Sequence, residues 1–239
     1  MTFTLSVPPD FQSFDPRGEF WNYERNLPHW RQPGVTYFVT FSLSDSLPVA
    51  VVNQIKRERD EWERLIAQHE GRLLEELQIN YASWQRRSWV AAERVMDESH
   101  GSCLLRDPAI REIVSKALMF FEGDRSSMHA FVVMPNHVHA AVQSLGEWQI
   151  EEVLKSWKGF TARVINESNG GSGELWQGDN WNRIIRDEDH WRQVVRYILR
   201  NPEKAKLREG EFTVWQAERT RGSSSRVRED ERVDAGEVW

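Results

Sequence analysis

Cysteine is almost missing from this chain: Cys103 is the single one among 239 residues. That excludes an internal disulfide and any zinc site built from several thiolates. Long apolar runs are missing too, and no window approaches the ~18 consecutive apolar residues of a membrane span. The opening MTFTLSVPPDF lacks the basic-then-apolar pattern of a secretory leader. These absences lead us to expect a cytoplasmic protein with no membrane partner. Positive charge is not in excess either. Lys plus Arg number 31 against 37 Asp plus Glu, a net charge of -6. A nucleic-acid binder that is basic overall is therefore not what the totals suggest, although a local basic strip can still hold phosphates.

What the chain does have is core-forming material. It is 39% hydrophobic with 12 tryptophans, which excludes a wholly disordered chain. At roughly 150 residues per domain, the length suggests one decorated domain. Residues 1–30 read as an irregular lead-in rich in Pro, Asp and Asn. The run Val35–Leu43, β-branched and aromatic, reads as a strand. Pro48–His69 has the spacing of an amphipathic helix. A helical insertion is expected at about 70–105, with Tyr81–Asp97 as its helix. Asp107-Pro108 has the form of an N-cap followed by proline, predicting a helix from Pro108 to about Phe121. Met128–Met134 and His137–Val142 flank the turn Pro135-Asn136 and predict an antiparallel hairpin. A helix over Ile150–Asn166, a short strand over Trp181–Arg186 and a last helix ending at Asn201-Pro202 follow. A domain over 31–211 is thus expected, with 212–239 as a polar, disordered tail. Hairpin strands mixed with helices imply an α+β fold with an antiparallel or mixed sheet.

The chemistry gathers at two places. His137 and His139 are two apart on a strand, so both imidazoles point to one face while Val138 points to the other. Tyr197 and Asn201 are four apart on a helix and also share a face. Each pair alone has an ordinary explanation: half-exposed histidines, a core tyrosine, a helix stop. Converging on one point, they make a metal site beside a nucleophile. Imidazole and amide ligands with open positions suit Mg²⁺ or Mn²⁺ holding a phosphate oxygen. A phenol with an ordinary pKa near ~10 is a poor nucleophile unaided, and a divalent ion polarising the phosphodiester lowers that barrier.

His137-Val138-His139 matches the histidine–hydrophobic–histidine motif of HUH nucleases. The strings VVMPNHVHAAV and YILRNPEKAKL resemble the single-tyrosine transposases of insertion sequences. Within those, the chain most resembles the REP-associated tyrosine transposases, which pair Tyr and Asn in Tyr-x-x-x-Asn-Pro. LPHWRQPGVTYFVTFSLSDSLP, LLRDPAI, SWKGFTA and ELWQGDNWNRIIRDEDHW extend the likeness over roughly Leu27–Leu207. The resemblance implies a ferredoxin-like HUH nuclease core with a C-terminal nucleophile helix. It further implies a metal on His137, His139 and Asn201, with Tyr197 as nucleophile. The implied reaction nicks and rejoins single-stranded DNA beside a hairpin, leaving a 5′-phosphotyrosine and a free 3′-hydroxyl. One departure is the ending: Phe212-Thr-Val-Trp-Gln and a charged tail stand where such relatives carry Trp-Ser-Ser.

Basic residues slightly outnumber acidic ones between Lys155 and Arg200. Lys155, Lys158, Arg163, Arg183 and Arg186 are the expected phosphate contacts beside the nicking site. Their ordinary reading is a solvated helix face and strand edge. Two other functions fit the same motifs: a domesticated hairpin-binding protein without mobility, and a replication initiator or relaxase. A nucleoid-associated location follows from the expected substrate, with homodimer and monomer both open.

Overall fold

The computed structural model describes residues 5–17, 31–222 and 235–238. Its elements in chain order are β1 (Thr36–Ser42), α1 (Val49–Ala67), α2 (Gly71–Asp97), α3 (Pro108–Met119), β2 (Ser126–Val133) and β3 (His137–Ser144). Then come α4 (Ile150–Asn169), β4 (Trp181–Ile184), α5 (Glu188–Lys204), β5 (Thr213–Gln216) and the short α6 (Ala235–Val238). The strands form one sheet in the order β4-β1-β3-β2-β5, every neighbour antiparallel. Strands β1 to β4 and the helices between them make the β-α-β-β-α-β ferredoxin-like arrangement, with β5 added beside β2. The fold is α+β, as the pattern of strands and helices predicts.

The central strands are buried along their whole length, so the two faces of the sheet are covered by different helices. On one face α3 and α4 pack against Val39, Phe41, Val133, Val138, Ala140 and Val142. On the other, α5 and Trp89 of α2 pack against Phe38, Ala130, Val132 and Ala141. Burying a residue such as Trp89 contributes on the order of 3 kcal/mol.

The helix starts follow local chemistry. Asp107 accepts a hydrogen bond from Ala109 N at 2.8 Å with Pro108 in the first turn of α3. Asp187 accepts from His190 N at 2.7 Å to open α5. After α2 the chain turns sharply. Gly101 has φ +84, and a side chain there would meet the backbone of Asp45.

Three expectations need correction. Helix α5 does not stop at Asn201-Pro202: Pro202 lies inside it. The turn that follows closes through Ala205 N to Asn201 O and Leu207 N to Pro202 O, both at 2.9 Å, and offsets the bond the proline cannot make. Helix α2 begins ten residues before the expected Tyr81, at Gly71. The stretch from 212 is not wholly a disordered tail, because Thr213–Gln216 pairs with Ala130–Val133 as an edge strand. Within residues 5–17, Phe11 packs against His129 and Trp191. The other residues of the expected lead-in, and 223–234 of the expected tail, lie outside the described residues.

Candidate active site

Strand β3 sets His137 and His139 side by side, ring centroids 4.6 Å apart. Their faces are opposite to Val138, which belongs to the α3–α4 core. Helix α5 brings Tyr197 edge-on to His139 at 5.5 Å and Asn201 one turn later. His137 and His139 stand on a strand and Tyr197 and Asn201 on a helix, as their spacing predicts, and the fold brings the four candidates together.

The fifth residue was not anticipated. Glu93 of α2 reaches into the middle of the four. Tyr197 Oη donates to Glu93 Oε1 at 2.5 Å; the same oxygen lies 2.8 Å from His139 Nε2 and 3.9 Å from His137 Nε2. Asn201 Nδ2 donates to it at 3.5 Å. The signal was present in α2: Trp89, Ala92 and Met96 are buried, and Glu93 is a carboxylate on that same stripe, where an unpaired charge is rare.

A second unanticipated residue fixes the geometry. Asn136 donates through Nδ2 to Met96 O at 3.2 Å and His100 O at 3.0 Å. Its Oδ1 is therefore the atom that faces His137 Nδ1, 2.7 Å away. The His137 ring carries its proton on Nδ1 to make that bond, leaving the Nε2 lone pair aimed into the site. His139 Nδ1 has Thr40 Oγ1 at 2.8 Å in the corresponding place.

Burial and charge fix the protonation states. Burial, with the neighbouring His139, pushes His137 down to about 3, so it is neutral. Burial opposes ionisation of Glu93, but His139, His137 and the Tyr197 hydroxyl outweigh it and hold the carboxyl below its ordinary range. Tyr197 is raised well above the ordinary phenol value by burial and by the charges of Glu93 and Asp97. It stands as a neutral phenol.

These groups fit a divalent cation. Glu93 Oε2, His137 Nε2 and Asn201 Oδ1 are all buried without a hydrogen-bond partner, a costly state for three polar atoms. Ligand atoms of Glu93, His137 and His139 lie within 4.8 Å of one another. Two imidazoles, a carboxylate and an amide oxygen are a donor set for a hard or borderline ion.

The expected phosphate contacts divide between the two sides of the sheet. Lys155, Lys158 and Arg163 lie on α4, on the face away from the histidines, so their placement beside the site is corrected. Lys158 is occupied there by Gln177 O at 2.7 Å and Gly178 O at 3.2 Å, and Arg163 pairs with Glu167 at 3.7 Å. Arg183 is on the histidine face. It pairs across the sheet with Phe38, which stacks on His139 at 5.6 Å. Arg186 follows just beyond β4.

The site is thus a buried polar cluster of metal-ligating type beside a tyrosine, on one face of an α+β sheet. Residues 105–201 match the family model for IS200-like transposases, a stretch that contains His137, His139, Tyr197 and Asn201 but neither α1 nor α2. Over that stretch, less than half of its length, the chain is similar to the IS200-like transposases. Among solved structures, the chain resembles a REP-associated tyrosine transposase bound to a REP hairpin. Identity is 16%, covering 84% of this chain and 97% of that one, with a TM-score of 0.43. It also resembles a candidate transposase from Deinococcus radiodurans R1 at 14% identity, covering 75% of this chain and 98% of that one, TM-score 0.31. No curated protein matches the sequence. Among the described residues, no helix is long and apolar enough to cross a membrane.

Proposed function

We propose that the protein nicks and rejoins single-stranded DNA beside a hairpin, in the manner of a REP-associated transposase in the cytoplasm. Tyr197 is the nucleophile. One observation carries this reading: Tyr197 Oη lies 2.5 Å from a carboxylate oxygen inside a cluster of orphaned ligand atoms. His137, His139, Glu93 and Asn201 would hold Mg²⁺ or Mn²⁺, whose charge polarises a phosphodiester oxygen and offsets the carboxylate. Tyr197 Oη forms a bond to phosphorus as the bond from phosphorus to the 3′ oxygen breaks. The phenolic proton passes to Glu93, and the departing 3′ oxygen takes up a proton from water to become the free hydroxyl. Reversal of the same step rejoins the strand.

Access is the condition on this chemistry. Glu93, His137 and His139 are 0% exposed and Tyr197 2%, so a DNA strand meets the tyrosine only once the side chains that cover it move aside while Glu93 stays with the histidines.

Tyr197→Phe tests the reading, because it removes one oxygen and leaves the ring. With a hairpin-bearing oligonucleotide from the DNA flanking the gene, wild type should form a covalent adduct that retains a label on the 3′ side of the cut. A 5′-side label should leave with the free hydroxyl. The Phe variant should give neither cleavage nor adduct at unchanged fold. An adduct on the Phe variant would make another residue the nucleophile. Failure of both proteins to cleave would favour the domesticated-binder reading.

A further inference from the structure

Helix α5 carries a third polar residue on the stripe that holds Tyr197 and Asn201. Lys204 lies seven residues after Tyr197 and three after Asn201, so all three share one face of the helix. A lysine in the last turn is ordinary, since the carbonyl end of a helix favours cations. The surroundings of this one are not. Its Nζ stands 5.1 Å from the centre of the Tyr197 ring and 2.9 Å from Asp97 Oδ2. Asp97 ends α2, one turn beyond Glu93. The two helices therefore meet through two rungs: Glu93 with Tyr197, then Asp97 with Lys204.

The rungs differ in what reaches water. Glu93, Tyr197 and Asn201 are buried, whereas the Lys204 side chain is 37% exposed. An ammonium has three N–H donors, and Asp97 Oδ2 needs only one of them. Burial, then the charge of Glu93, raises Asp97, and Lys204 opposes both. The other oxygen, Asp97 Oδ1, is buried without a partner. The carboxylate thus anchors the ammonium beside the tyrosine and leaves it two donors for another acceptor.

Charge balance favours a phosphate in that place. A phosphodiester at Tyr197 joins the carboxylates of Glu93 and Asp97, which makes three negative charges in one cluster. Metal-binding imidazoles are neutral, the phenol is neutral, and a divalent cation supplies two positive charges. Lys204 supplies the third. Net charge is costly where water is excluded, and with Lys204 the cluster is neutral once the phosphodiester is seated.

We propose that Lys204 binds a non-bridging oxygen of the phosphate that Tyr197 attacks, with Asp97 as the positioning residue that holds the ammonium there. The inference rests on the DNA-nicking reading for its choice of ligand. Attack on phosphorus gathers negative charge on those oxygens, and a cation placed beforehand meets it without rearrangement.

The test is binding, measured in EDTA so that nothing is cut. A fluorescent oligonucleotide with a hairpin and a single-stranded arm is titrated against wild type, Lys204→Gln, Lys204→Arg and Asp97→Asn. Each phosphate of the arm is replaced in turn by a neutral methylphosphonate. Lys204→Gln should weaken binding about tenfold at low salt and reduce the salt slope by about 0.7. At one linkage the methylphosphonate should cost wild type the same loss and cost Lys204→Gln nothing more. Lys204→Arg should bind like wild type. Asp97→Asn should bind as tightly or more so, because a negative charge beside the phosphate has gone. An ion pair that merely joins α2 to α5 gives another pattern, in which Lys204→Gln and Asp97→Asn weaken binding alike and losses add at every linkage. That pattern would overturn the proposal. Mn²⁺ and end-labelled DNA then map the cut, and coupling at any linkage but the cut one would overturn it too. Coupling at one linkage with no cut anywhere would keep the lysine–phosphate contact and count against the nicking reading instead.

Discussion

On the α3–α4 face of the sheet, β3 presents Val138, Ala140 and Val142 to an apolar core. On the α2–α5 face, the same strand presents His137 and His139 to a carboxylate, a phenol and an amide. Both faces exclude water: Val138, His137 and His139 are all 0% exposed. The first face is held mainly by apolar contact, with Trp176 Nε1 donating to Thr161 Oγ1 at 2.9 Å. The second leaves Glu93 Oε2, His137 Nε2 and Asn201 Oδ1 among its unpartnered atoms, and it is covered by α2, which lies outside the stretch that matches the transposase family. Burial without satisfaction costs stability, so the second face sets a strained polar cluster within an apolar core of its own.

The largest effect on stability should come from making the dry face polar. Val138→Asn places an amide among α3 and α4 with no partner, and should cost about 3 kcal/mol or more in urea unfolding. Glu93→Gln on the other face, in EDTA, keeps shape and hydrogen bonds while removing a buried charge; stability should change by about 1 kcal/mol or less. Equal losses would erase the distinction between the faces.

A metal should sharpen it. Mn²⁺ at a hundredfold excess over its dissociation constant should raise wild-type stability by about 2.7 kcal/mol, reversibly with EDTA. His137→Ala and Glu93→Gln should lose most of that gain, and Val138→Ala should keep it. Calorimetric titration gives the affinities directly, and wild-type affinity in the Glu93 variant would remove it from the ligand set.

A further effect is in pH. His129 and His190, both buried near α5, are pushed from 6.5 down to about 4, each chiefly by burial. The unfolded chain takes up their protons below about pH 6.5 while the folded chain does not. Their contribution is therefore complete above pH 6.5 and is lost as pH falls towards 4. Each should contribute a slope approaching about 1.4 kcal/mol per pH unit within that window. His190→Gln should remove one such increment from the pH dependence of the urea midpoint, and an unchanged profile would place the titration elsewhere.

How much of the site was legible depended on whether its residues were local. His137 with His139 and Tyr197 with Asn201 are short-range pairs, and strand and helix periodicities put each pair on one face without reference to the rest of the chain. Glu93 lies 44 residues before His137 by number, on a helix whose face is set by what it packs against. Its lone carboxylate on a tryptophan stripe was a sign of something buried, with no indication of what. Asn136 read as a turn residue because its partners, Met96 and His100, are equally distant. Lys155, Lys158 and Arg163 were misplaced for the same reason: composition marks a basic helix, whereas only sheet topology says which face that helix covers. Pro202 was read as a stop from a local rule that further helical bonds overrode.

By itself the sequence determined the α+β class, the hairpin that aligns the two histidines, and the helix that aligns tyrosine with asparagine. Each follows from alternation, helical spacing or capping chemistry within a few residues. Only the tertiary structure decided that α2 closes over the histidines, that Glu93 joins them, and that Asp97 meets Lys204. Those are contacts between distant segments, fixed by which apolar faces pack together, and no local periodicity encodes them.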